Sequence, residues 1–227
     1  LRVDYGQFRR LWEKRFCNDQ KARRDYPPSL CWHVIRSYIK GLEPTLTEPD
    51  DYEELGREQQ LLPVQAYREL YEKVWEKWYM PLCRAEGYWD DQDLARHVLE
   101  QERVQPVFPA IFCDEAQDFT RIELDILLRL NVFSARRLRP DQIQQVPLVF
   151  AGDQFQTLNP TGFRWESVKA QVVEQFMFAL DPAKHAARSE LNYRELSFNF
   201  RSSQPITQFS NVVHGLRARL FGLKQMR

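Results

Sequence analysis

Apolar side chains recur at helical spacing through most of the first hundred residues. Phe8, Leu11, Trp12 and Phe16 predict a helix over 5–16. Leu30, Val34, Ile35, Tyr38 and Ile39 predict a second one after the break at Pro27 and Pro28, with Ser29 as its N-cap. Residues 41–62, rich in proline and acid, read as a connector with a short helix near Tyr52–Leu55. The longest stripe is Val64, Tyr67, Leu70, Tyr71, Val74, Trp75, Trp78 and Leu82, wide enough to pack into a core. Trp89-Asp90-Asp91-Gln92-Asp93-Leu94 opens a further helix running to about Gln101, its acids suited to the positive N-terminal end. No convincing strand is predicted before Pro109.

The pattern changes at Pro109. Ala110-Ile111-Phe112-Cys113 is a short apolar run that reads as a buried strand, and it ends abruptly in Asp114-Glu115-Ala116-Gln117-Asp118. A helix follows from about Thr120, with Thr120 as a cap and Ile122, Leu124, Ile126, Leu127, Leu128 and Leu130 on its buried side. A polar loop over 134–145 leads to a second apolar strand, Val146–Ala151, that ends in Gly152-Asp153. Further strands are predicted over 175–180 and 195–200, then a helix carrying Ile206, Phe209, Val212 and Val213. Strand, helix, strand with acids at the strand ends predicts a parallel sheet of α/β type behind a largely helical lead-in. There is no internal repeat and no low-complexity segment.

In an open α/β sheet, ligands bind in the crevice beyond the carboxyl ends of the strands. An acid there can hold Mg²⁺, a hard cation that prefers oxygen, and a neighbouring acid can activate a water, which is a Walker B pattern. The bland reading of the Asp114-Glu115 pair is a solvated face, and that of Gly152-Asp153-Gln154-Phe155-Gln156-Thr157 is a strand-terminal turn with an Asx cap. Two acid-tipped strands in one half-domain favour a site. Gly162-Phe163-Arg164-Trp165 suits base stacking and phosphate contact, or equally a loop folding back on the core. Arg201, at a strand-to-helix junction, suits a charge-stabilising finger on a transferring phosphoryl group, or an ordinary surface position.

In this order, these stretches resemble the UvrD/Rep-like superfamily 1 helicases. Asp114-Glu115-x-Gln117-Asp118 matches that family's motif II. Gly152-Asp153-x-x-Gln156-Thr157, with Gly162-Phe163-Arg164-Trp165, resembles motif III. Leu196-x-x-Asn199-Phe200-Arg201-Ser202 resembles motif IV, usually written with Tyr where Phe200 stands. Asn192-Tyr193-Arg194 spells part of the same motif, but neither the Ser nor an amphipathic helix follows it. The resemblance spans roughly residues 60–215.

It implies a partial RecA-like parallel sheet of the P-loop NTPase type. The expected organisation is a helical subdomain over 1–105, part of a first motor domain over 106–194, and the start of a second over 195–227. It also implies ATP and Mg²⁺. Asp114 would hold the metal and Glu115 would activate the attacking water. Gln117 would help position the nucleotide, with Asp118 in support, and Gln156 would contact the γ-phosphate. Phe200 would stack on adenine and Arg201 would reach the γ-phosphate. Phe163, Arg164 and Trp165 are candidates for contact with single-stranded or partly duplex nucleic acid, DNA ahead of RNA.

Composition adjusts this picture. The 227 residues carry 32 basic and 32 acidic side chains, so net charge gives no global argument for nucleic acid. The basic positions Arg9, Arg10, Lys14, Arg15, Lys21, Arg23 and Arg24 fit either a nucleic-acid contact or a solvated helix face. Cys17, Cys31, Cys83 and Cys113 are scattered without a CxxC, and the four histidines have no metal-like spacing. Scattered cysteines suit an intracellular setting, cytoplasmic or beside the chromosome. No apolar run is long enough to cross a bilayer. None of the eight glycines is followed by Lys, so there is no Walker A loop. The expectation is a fragment of an ATP-hydrolysing motor, inactive alone, completed by the remainder of its own polypeptide. The alternatives are a helicase-like binding or regulatory module that never hydrolyses ATP and, more weakly, a metal-dependent nuclease.

Overall fold

The computed structural model describes residues 1–57, 59–102, 104–135, 146–153, 165, 168–172, 194 and 201–221. The chain falls into two compact units, Leu1–Glu190 and Leu191–Arg227.

The first unit begins with helices. α1 (Tyr5–Arg15) starts in a capping box, Asp4 accepting from the Gln7 backbone while the Gln7 side chain returns to Asp4. α2 (Gln20–Asp25) is capped by Asp19. α3 (Pro28–His33) runs on directly as a π-helix, Val34–Ile39. Its N-cap is Pro27, not Ser29: Pro28 takes the first helical position, where its missing N–H costs nothing, and Ser29 lies inside the helix. α4 (Pro49–Glu54) is the short helix of the connector.

The long stripe forms one helical run of three parts: α5 (Val64–Leu70), a π-helix (Tyr71–Tyr79) and α6 (Met80–Glu86). Pro81 explains part of this departure from a regular α-helix. A proline ring presses on the carbonyl four residues back, and a wider turn ahead of it relieves the crowding. The run stops at Gly87, whose φ of 64° is the left-handed conformation that ends helices. α7 (Asp91–Glu100) follows, capped by Asp90.

The helices enclose an aromatic core. Phe8, Trp12, Trp75, Trp78 and Tyr79 are all buried, and Phe8 meets Tyr79 edge-on at 4.9 Å. Tyr52 and Tyr67 stack at 3.7 Å with ring planes 2° apart. The Tyr52 hydroxyl donates to the Leu62 carbonyl and accepts from the Leu62 N–H, so it closes the connector onto this core.

Two short strands follow, β1 (Ile111–Cys113) and β2 (Leu148–Phe150), paired in parallel with Ile111, Phe112 and Cys113 opposite Leu148, Val149 and Phe150. Between them in the chain lies α8 (Arg121–Arg129), which packs on α7 through Ile122, Ala95 and Leu99. Ile122, Leu124 and Leu128 are fully buried there, whereas Ile126, Leu127 and Leu130 of the predicted face are only half-buried. In the second unit the described helix is α9 (Gln204–Phe221). Its apolar positions Ile206, Phe209, Val212 and Val213 are exposed. The strands expected over 175–180 and 195–200 lie outside the described residues. Among the described residues, no helix is long and apolar enough to cross a membrane.

Candidate functional site

Parallel pairing puts the carboxyl ends of β1 and β2 at the same edge. The chain leaves β1 into Asp114 and Glu115 and leaves β2 into Gly152 and Asp153. The ladder continues past both strands, with Ala151 N–H donating to the Cys113 carbonyl at 2.8 Å and Ala116 N–H donating to the Ala151 carbonyl at 2.9 Å. Asp114 and Glu115 are therefore exposed but sit on anchored backbone. Glu115 has φ 51° and ψ 41°, a left-handed conformation that a side-chain-bearing residue adopts at a cost. The turn it makes leads into a single 3₁₀ turn, Ala116–Asp118.

Gln117 holds this corner together. It is 1% exposed. Its Oε1 accepts from the Asp153 N–H at 3.0 Å, and its Nε2 donates to Glu115 Oε2 at 2.6 Å. The backbone N–H of Asp153 fixes the amide's orientation, because only the oxygen end can face a donor. Gly152 is required by the same packing. A Cβ there would collide with Gln117 Oε1 and stand 3.2 Å from the Ala116 nitrogen. Asp153 makes this link to Gln117 through its backbone N–H.

The remaining groups at the edge differ in kind. Asp114 Oδ1 accepts from the Glu115 N–H at 2.9 Å, and its Oδ2 has no partner among the described residues. Asp118 donates its N–H to the Glu115 carbonyl at 2.9 Å, while its Oδ1 is sealed from solvent without a hydrogen bond. Burial, reinforced by the Asp114 charge, pushes the Cys113 thiol up, which disfavours the thiolate.

Beyond Asp118 the loop is tied to the helices by residues that sequence reasoning left without a site role. Thr120 caps α8 in a capping box with Glu123. Gln92, on α7 and 0% exposed, donates from Nε2 to Glu123 Oε1 at 2.7 Å and accepts the Thr120 hydroxyl at 2.8 Å. Arg36 donates to both Glu123 oxygens, at 3.0 and 3.2 Å. Ile122 donates its N–H to the Gly41 carbonyl at 3.1 Å, and a Cβ on Gly41 would stand 2.5 Å from the Arg36 carbonyl. Below them Lys40 is buried, its Nζ 2.8 Å from Asp90 and 2.6 Å from Asp93. Burial opposes its charge, but the two carboxylates outweigh that and hold Lys40 above the ordinary lysine range. The T-x-x-E spelling of Thr120 and Glu123 was the one sequence signal for this network; the Gln92 contact has none.

Of the other predicted residues, Gln156, Phe163, Arg164 and Phe200 lie outside the described residues. Trp165 is helical and half-buried. Arg201 is exposed on a bend ahead of α9, in the second unit. The basic positions of α1 and α2 are exposed, and several are engaged locally: Arg9 pairs with Glu13, Arg24 with Asp25, and Arg15 lies 5.3 Å over the Phe16 ring. Among the described residues no group of three or more His, Cys, Asp or Glu side chains could hold a metal ion between them. Mg²⁺ commonly keeps several waters and takes one or two carboxylates beside nucleotide phosphates, so the open oxygen of Asp114 fits its chemistry without such a cluster.

No family model matches the chain, and no solved structure matches it. The sequence is 30% identical over 214 residues to the human protein TPR and ankyrin repeat-containing protein 1. The match covers 89% of this chain and 7% of that protein, so the chain spans a small part of its relative's length. The relative's name describes repeats, and the sequence of this chain shows no internal repeat.

Proposed function

We propose that this chain supplies half of the nucleotide site of an ATP-dependent nucleic-acid motor. The observation that supports this reading is the corner at the sheet edge. Two parallel strands end at one edge and each leads into an acid, and one buried glutamine joins the backbone of the second acid to the carboxylate of the first strand's turn. That is the placement a hydrolytic site needs, with carboxylates exposed on a fixed backbone rather than on mobile side chains of a helix.

Each residue then has a role its geometry suits. Asp114 offers Oδ2 to Mg²⁺, which when bound neutralises phosphate charge. Gln117 orients Glu115 through Oε2, leaving Oε1 to accept a proton from the attacking water. The left-handed turn at Glu115 redirects the chain as it leaves β1, and the Glu115 side chain is exposed there with Oε2 held by Gln117. The phosphate-cradling loop belongs to the rest of the polypeptide in this proposal, and the roles that the resemblance implies for Gln156, Phe200 and Arg201 of this chain remain part of it.

The test uses the full-length polypeptide. Mg²⁺-dependent ATP turnover stimulated by single-stranded nucleic acid is expected, and Glu115→Gln should reduce it at least about 100-fold while nucleotide binding persists. Turnover unchanged by that substitution would sink the role given to Glu115. A wild-type protein that binds nucleic acid but hydrolyses no ATP would leave the binding-module reading in its place.

A further inference from the structure

The acid-bearing loop is held at two ends by different layers. At the sheet, Ala116 and Gln117 bond to Ala151 and Asp153. At the other end, two residues past Asp118, Thr120 is held by a buried polar chain that runs into the helices. We propose that Gln92 is a positioning residue for the loop, carrying the state of the helical layer to Glu115 through Thr120 and Glu123. The proposal rests on the nucleotide-site reading for its catalytic consequence, although the mechanical link stands on geometry alone.

Three observations carry it. First, Gln92 is fully buried, so water cannot replace either of its hydrogen bonds; without them Glu123 Oε1 keeps only Arg36 at 3.0 Å, and the Thr120 hydroxyl donates only to Glu123 Oε2 at 2.9 Å, which cuts the helix α7 side out of the network. Second, the Gln92 amide has one orientation. The Glu123 carboxylate accepts from Gln92 Nε2, so Gln92 Oε1 faces Thr120, whose hydroxyl lies 2.8 Å from it and 2.9 Å from Glu123 Oε2. Third, Gln92 is itself fixed from below. Asp90 Oδ1 accepts the Gln92 N–H at 3.0 Å, and Asp90 Oδ2 is held by the buried Lys40 at 2.8 Å. Lys40 in turn lies 5.4 Å over the Trp75 ring, in the middle of the aromatic core. A shift of the Tyr71–Tyr79 segment that moves Trp75 is therefore felt at Lys40, Asp90, Gln92 and the N-cap of α8 in sequence. What binds the helical layer would in this way tune the acids without touching them.

The experiment compares Gln92→Ala, Thr120→Val and Thr120→Ser in the full-length polypeptide, by amide hydrogen exchange and by steady-state ATP turnover. Gln92→Ala and Thr120→Val should each speed exchange over residues 114–124 about tenfold, leave residues 5–15 and 64–86 at wild-type rates, and lower kcat about tenfold with KM for ATP unchanged. Thr120→Ser retains the donor hydroxyl and should behave as wild type. Unchanged exchange over 114–124, or acceleration spread equally over 5–15 and 64–86, would overturn the proposal. Should Gln92→Ala not fold, the Thr120→Val and Thr120→Ser pair decides the matter alone. Should the wild type hydrolyse no ATP, the nucleotide-site reading fails, and the exchange rates still decide whether the link exists.

Discussion

Lys40→Met tests how much the fold depends on a single buried cation. The ammonium sits between Asp90 at 2.8 Å and Asp93 at 2.6 Å, with the Lys40 side chain 2% exposed. Methionine keeps most of the stem that lies against Trp75 and Tyr79, so the substitution removes charge rather than volume. Breaking a buried pair by deleting one partner costs about 3–5 kcal/mol, because it leaves a buried charge uncompensated. Asp93 is 29% exposed and water can solvate it, which places the expected loss at the lower end, about 3 kcal/mol. For a unit of this size that corresponds to a melting-temperature drop of roughly 6–12 °C.

The pH dependence adds a second check. Without Lys40, the buried Asp90 carboxyl keeps the Gln92 and Asp93 N–H groups on Oδ1 and has Asp93 as its charged neighbour; burial first, and then that like charge, lift its folded-state pKa above the unfolded value of about 3.9. A group lifted on folding contributes stability below its unfolded pKa and loses it as pH rises through the folded pKa. The deficit of Lys40→Met relative to wild type should therefore be smallest near pH 4 and widen toward neutrality. Thermal unfolding followed by circular dichroism at both ends of that range reads both effects. A shift under about 2 °C at neutral pH would refute the reasoning, since it would mean the carboxylates are solvated without the cation.

Other substitutions probe the corner and the core. Glu115→Gly removes the left-handed penalty at φ 51° and should leave the melting temperature equal or higher while turnover is lost; a fall of several degrees would show that the Glu115 contacts outweigh the strain. Gly152→Ala drives a methyl into Gln117 and should cost about 1–3 kcal/mol in urea unfolding, with the Gln117–Asp153 link broken; a neutral result would show that Gln117 can move aside freely. Tyr52→Phe leaves both the N–H and the carbonyl of Leu62 without their partner and should lose about 1–3 kcal/mol, measured by the same unfolding, whereas a loss near zero would show that water replaces the hydroxyl.

The sequence by itself determined the local elements, because their causes are local. The aromatic stripe from Val64 to Leu82 repeats at helical spacing and forms a helical run, and an apolar triplet ahead of Asp114 forms a strand, although not the buried one expected, since alternate side chains face opposite sides and Phe112 is exposed. The cap at Thr120 was legible for the same reason, since a capping side chain bonds to backbone only a few residues away, whereas Asp90 was read only as one of the acids at a helix start and proves to be the cap itself. Ser29 was misread because Pro28 one position earlier already satisfies the helix start.

Tertiary structure alone decided what these elements do together. No spacing in the chain says that β1 and β2 lie parallel in the register that brings Gly152 against Gln117, or that Gln92 reaches Thr120 across 28 positions. Nor does composition show that one lysine among 32 basic residues is buried between two aspartates. These facts depend on which surfaces meet, and that is set by burial of the aromatic core as a whole. The acids at 114 and 115, with Gln117 and Gly152 beside them, could be read from the sequence as chemistry, but the contact between that glutamine and that glycine, the link through Gln92 and the buried ion pair appear only in the folded chain.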